Sequence, residues 1–121
     1  MAEARANHGG DTWMYEFDWK SKAFTGALGA CHALEIPFTF GTLGVNGTDV
    51  FLGTSELPHG LEDLMHKSWA AFIATGNPTT HRLPEWPTYS PTSRTVMRFA
   101  EHTDLTHDPW PSARKSWEGI R

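Results

Sequence analysis

From Thr12 to Trp19 apolar and polar side chains alternate. Trp13, Tyr15, Phe17 and Trp19 fall on one side of an extended chain, and Glu16 and Asp18 fall with Met14 on the other. This period of two predicts a strand with one face on a core. A different period governs residues 57–75. Leu61, Leu64, Met65, Trp69, Phe72 and Ile73 are spaced 3, 1, 4, 3 and 1, which is one face of an α-helix. Ser55 is placed to cap its start, and Pro58 is tolerated in its first turn. Gly76 fits a left-handed C-terminal cap, and Pro78 blocks continuation. On this spacing Leu64, Trp69 and Phe72 are expected in the core.

The pattern is weaker elsewhere. Residues 20–31, with Gly26 and Gly29, read as a loop ending at Cys31-His32. Pro37 argues against a central strand over residues 33–41 and allows one helical turn before it. Gly41, Gly44, Gly47 and Gly53, with the turn pair Asn46-Gly47, make residues 41–55 a loop. Pro78, Pro84, Pro87 and Pro91 give residues 77–93 an extended, irregular course. Thr95–Phe99 reads as a short strand. Asp108-Pro109 reads as a helix cap followed by proline at the first helical position. Trp110, Ala113, Trp117 and Ile120 then recur at helical spacing, which predicts a short terminal helix.

A length of 121 residues predicts one domain, and 39% hydrophobic with 20% charged residues is ordinary globular composition. The net charge of -4 comes with no basic stripe, so neither nucleic acid nor an anionic membrane is expected as a partner. The run Trp69 to Ala74 is too short to cross a bilayer, and Met1 to Asn7 lacks the apolar centre of an export signal. A cytoplasmic location is expected. A single cysteine, Cys31, excludes an internal disulfide and a multi-cysteine zinc site. The 6 tryptophans either fill a small core or face a partner.

The candidate chemistry is sparse. None of the 7 histidines stands four residues from another, and no carboxylate motif flanks them, so no metal is expected. His59 and His66 could share a helix face. Gly41-Thr42-Leu43-Gly44 lacks the spacing and the lysine of a phosphate loop, and no cofactor is expected. Asn46-Gly47-Thr48 has the form of a glycosylation sequon, discounted without an export signal. Cys31 and His32 are sequence neighbours whose side chains point apart, which argues against a thiol–imidazole couple. His32 itself follows a strand on a small-residue loop, from which a side chain can reach the carboxyl edge of a sheet. It is the candidate catalytic residue.

The residues around it carry a resemblance. Gly29-Ala30-Cys31-His32-Ala33-Leu34-Glu35-Ile36-Pro37-Phe38-Thr39-Phe40-Gly41 resembles the segment around the catalytic histidine of type-B carboxylesterases, the α/β-hydrolase esterases that include para-nitrobenzyl esterases and cholinesterases. Tyr15-Glu16-Phe17-Asp18-Trp19 resembles the family's last core strand. Trp69-Ala70-Ala71-Phe72-Ile73-Ala74-Thr75-Gly76-Asn77-Pro78 resembles its next helix, Trp86-Pro87-Thr88-Tyr89 its tryptophan-proline turn, and Asp108 through Trp117 its closing helix. The motifs occur in the family's order over nearly the whole chain.

The resemblance implies an α/β fold class. Residues 1–121 would form a single partial domain, the carboxyl-terminal part of an α/β-hydrolase fold. Its parts would be the last core strand, a histidine loop, a long helix, a short strand and a terminal helix, incomplete alone. It implies ester hydrolysis, with His32 passing the proton of a Ser-His-acid triad and Glu35 a supporting carboxylate of the loop. Phe38 and Phe40 are expected to be packing residues. No serine of this chain stands in G-x-S-x-G, so serine, acid and oxyanion hole are expected outside it. The implied partners are the remainder of the esterase, in the same gene product or a separate chain, and a small-molecule ester. Alone, the chain is expected to be inactive and to form a homo-oligomer. The alternative is a non-catalytic binding or structural remnant that self-associates.

Overall fold

The computed structural model describes residues 2–120. In chain order these form α1 (Ala2–Asn7), β1 (Tyr15–Phe17), a tight 3₁₀ turn (Ala23–Gly26), α2 (Ile36–Phe40), α3 (Thr48–Leu52), α4 (His59–Thr75), β2 (Thr95–Phe99), β3 (Asp104–His107) and α5 (Pro111–Ser116). The sheet is mixed, in the order β1-β2-β3. β1 pairs parallel with β2, Tyr15 opposite Met97 and Phe17 opposite Phe99. β2 and β3 form an antiparallel hairpin, Thr95 opposite His107. A parallel pair needs a long crossover, and here α2, α3 and α4 all lie within it.

The alternation of residues 12–19 survives in a shorter strand. Trp13, Tyr15 and Phe17 pack on the core, and Trp19 is buried, whereas Met14 is exposed. The ladder runs past the strand ends, since Met97 N–H donates to the Met14 carbonyl at 3.0 Å and Asp18 N–H to that of Phe99 at 2.8 Å. Aromatic rings join the layers. Phe38 of α2 lies 4.9 Å from Phe17 and 5.4 Å from Trp19, while Phe99 lies 5.8 Å from Tyr15. Such tilted and edge-on pairs add to the energy of simple burial.

α4 starts at His59 with Pro58 at its cap, not at Ser55, and it ends at Gly76 in the left-handed conformation (φ 78°), as expected. Its buried line is Leu61, Met65 and Ser68. The expected core residues Trp69 and Phe72 remain 37% and 43% exposed, and Leu64 is only half-buried. Pro37 does not end a helix. It lies in the first turn of α2, where its missing N–H has no intrahelical partner to lose. Phe38 is buried as expected, but Phe40 is 68% exposed.

Residues 48–52 form a turn of helix where a loop was expected. α5 uses Pro111 at its start and Trp110 at its cap, rather than Pro109 and Asp108. Asp108 stands at φ +46°, unsuited to a cap, and its carboxylate takes a bidentate bond from Arg114 at 2.9 Å on each oxygen.

Candidate functional site around His32

The loop that follows β1 closes on itself before it reaches the histidine. Ser21 and Gly29 form an isolated bridge, with Ser21 N–H donating to the Gly29 carbonyl at 3.1 Å. The buried Ser21 hydroxyl donates to the Phe51 carbonyl at 2.8 Å and accepts Ala23 N–H at 3.0 Å. This ties the loop to the end of α3. The approach is too close for a side chain at Gly53, whose Cβ would stand 1.9 Å from the Ala23 nitrogen. No sequence signal marked Ser21 for this task.

Two residues past the bridge the chain turns at Cys31–Glu35. Leu34 N–H donates to the Cys31 carbonyl at 3.3 Å, and Ile36 N–H to that of Ala33 at 3.2 Å. Ala33 adopts φ +67°, a left-handed conformation that costs a residue with a Cβ about 1 kcal/mol or more. The turn is over-determined by its neighbour, since Leu34 is 0% exposed. His32 itself is exposed, and among the described residues its imidazole has no hydrogen-bond partner. It thus stands on a strained turn anchored in the core, in the segment that follows β1 in the chain.

Glu35 is half-buried at the N-cap position of α2, where its side chain makes no capping hydrogen bond. No hydrogen bond joins it to His32 among the described residues. Its charge reaches Tyr15 instead. Burial, then the neighbouring Glu35 carboxylate, pushes the Tyr15 phenol above the ordinary tyrosine range. Cys31 is a free, half-buried thiol packed against the core. His59 and His66 have separate partners, the Glu62 carboxylate and the Thr39 carbonyl. Among the described residues no three His, Cys, Asp or Glu side chains gather as a metal site would require.

An aromatic cleft of about 100 Å³ opens between Trp13, Tyr15, Trp69, Phe72, Trp86 and Phe99. Trp86 Nε1 is buried without a hydrogen-bond partner among the described residues. No helix among the described residues is long and apolar enough to cross a membrane.

Three comparisons bear on this arrangement. The sequence pattern of the Carboxylesterase family matches residues 1–116. Para-nitrobenzyl esterase of Bacillus subtilis (strain 168) is 32% identical over 114 residues, covering 90% of this chain and 22% of that protein. Phenmedipham hydrolase of Pseudarthrobacter oxydans is 39% identical over 82 residues, covering 62% and 16%. A crystal structure of a Geobacillus stearothermophilus carboxylesterase superposes with a TM-score of 0.80 at 33% identity, over 97% of this chain and 24% of that one. The structural neighbours are esterases of the α/β-hydrolase fold, and the small mixed sheet with its helices is consistent with a partial domain. The chain spans less than a quarter of the length of the relatives it matches.

Proposed function

The chain belongs to the carboxylesterase family, and on that premise we propose that it is the histidine-bearing, carboxyl-terminal part of a carboxylic ester hydrolase. The observation that carries this reading is His32, held out on a strained turn past the end of β1 by the buried Leu34 beside it. A base there is free to take the proton of a serine hydroxyl as it attacks an ester carbonyl. It then returns that proton to the leaving alcohol. Serine, triad acid and oxyanion donors come from the rest of the enzyme, in the same polypeptide or a partner chain. Glu35 acts as a carboxylate of the histidine loop, and the substrate is a small-molecule ester. Residues 1–121 form one partial domain.

Three features support incompleteness. β1 has a hydrogen-bonding edge that no described strand fills, the aromatic cleft is open, and Trp86 Nε1 has no partner among the described residues. Orphaned polar groups and open apolar faces are what a domain shows when part of its packing lies elsewhere. The same features favour a second reading, self-association of a non-catalytic chain. The cytoplasm is the proposed location, in keeping with a lone free thiol.

The test joins or mixes this chain with a serine-bearing amino-terminal portion of a carboxylesterase and assays p-nitrophenyl ester cleavage. Turnover that disappears with His32→Ala is the expected result. Turnover indifferent to His32→Ala, or none from a folded complex, would overturn the catalytic reading and leave self-association.

A further inference from the structure

The face that α4 turns towards α2 carries polar side chains that the proposed chemistry does not use. The Glu62 side chain is only 14% exposed. Its Oε1 accepts the Leu43 N–H at 2.9 Å, and its Oε2 lies 2.7 Å from His59 Nδ1. One turn further along, His66 Nδ1 lies 2.9 Å from the Thr39 carbonyl oxygen. That contact needs a proton between the two atoms, so Nδ1 is the protonated nitrogen of His66. Thr39 contributes one of the last carbonyls of α2, which have no partner inside the helix. Leu43 supplies an amide just past Gly41, where the chain reverses at φ +66°. α4 therefore bonds to α2 on both sides of the point where the chain leaves it.

α2 lies in the chain between that point and the histidine. It spans only Ile36–Phe40, and the turn carrying His32 leads directly into it. Leu34 before it, Phe38 within it and Leu43 after it are all buried. A short helix pinned at one end transmits any slip at Leu43 to the turn at the other. We infer that Glu62 is a positioning residue for His32. It fixes the Leu43 amide, and with it the helix that sets where the imidazole stands. The consequence for rate rests on the reading of His32 as the catalytic base, whereas the mechanical claim does not.

Amide hydrogen exchange on the 121-residue chain tests the mechanical claim, with Glu62→Ala and Glu62→Gln compared to the parent. Glutamine keeps an oxygen that can accept the Leu43 N–H. In Glu62→Ala, exchange over residues 30–43 is expected to rise about fivefold or more while the β2–β3 hairpin is unchanged, and Glu62→Gln is expected to return it close to the parent rate. No change over residues 30–43, or a rise spread evenly over the molecule, would overturn the inference. In the chain completed with a serine-bearing portion, Glu62→Ala is expected to lower kcat about tenfold with KM nearly unchanged, and Glu62→Gln to restore it. An active parent with an equally active Glu62→Ala would also overturn it. A parent without turnover would count against the catalytic reading alone, and the exchange result would still decide the role of Glu62.

Discussion

A histidine proposed to carry a proton has to be fixed in place yet left accessible, and neighbouring residues here differ in just those two respects. His32 is exposed while Leu34 is fully buried. His32→Ala should change stability by less than about 0.5 kcal/mol, the usual scale for a surface site. Leu34→Ala should cost about 2–5 kcal/mol. Urea denaturation of the two variants checks this, and unfolding by His32→Ala would assign the imidazole a structural role. The resemblance could point to His32 and Glu35, because both lie in one contiguous motif. It could not show the left-handed turn at Ala33, since alanine gives no signal for positive φ. Nor could it pair Glu62 with Leu43, a contact made only once two helices have packed. The chain's 2 tyrosines offer a direct probe. Burial first, then a neighbouring acid, pushes both phenols above their ordinary value. Their raised folded pKa values contribute stability that is fully present below about pH 10 and is lost as pH rises through the folded values. Ultraviolet titration of the folded chain should show both ionising above the denatured chain, and Glu35→Gln should bring Tyr15 part of the way down.

At the scale of elements, α4 was legible in its period and less so in its orientation. The spacing identified a helix, but Trp69 and Phe72 line the open cleft, while Leu61 and Met65 hold the core. A periodic stripe wider than one contact surface cannot say which part of it will be covered. Met65→Ala should therefore cost about 2–5 kcal/mol, the range for a fully buried side chain. Trp69→Ala should cost about 1–2 kcal/mol, because much of its surface already meets water. Thermal unfolding of the pair ranks them, and a greater loss at Trp69 would mean that the cleft is closed in solution. β3 carried no strand signal, being short and polar. Its pairing is supplied across the hairpin, where Asp104 takes a bidentate bond from Arg98 at 2.9 Å on each oxygen and the Thr95 hydroxyl lies 3.1 Å from His107 Nδ1. Asp108 serves α5 through Arg114 rather than as its cap. Hydrogen bonding from Arg114 holds its carboxyl below the usual range. A depressed folded pKa gives an attachment that is present above the unfolded value near pH 4 and is lost as pH falls through the folded one. Acid titration should release α5 before the core opens. The fluorescence of the exposed Trp110 and Trp117 should report this, and Asp108→Asn should remove the acid step.

For the molecule as a whole, the open edge of β1 and the aromatic cleft are surfaces that proteins normally cover or pair. Sedimentation at micromolar concentration should show an oligomer, and the pure chain should cleave p-nitrophenyl esters no faster than buffer. A clean monomer with low dye binding would show that the cleft and edge need no cover. The parallel pairing of β1 with β2 has a kinetic consequence as well. Tyr15 must find Met97, roughly eighty positions along the chain, before the parallel pair exists, whereas the β2–β3 hairpin is local. Closing so long a loop sacrifices chain entropy before any ladder bond compensates, and such topologies fold slowly. During that search the aromatic face of residues 13–19 remains unprotected. The yield of soluble protein is then governed by a race between loop closure and intermolecular capture, one that low temperature, dilution or a preassembled sheet to dock against would each tilt towards the native pairing.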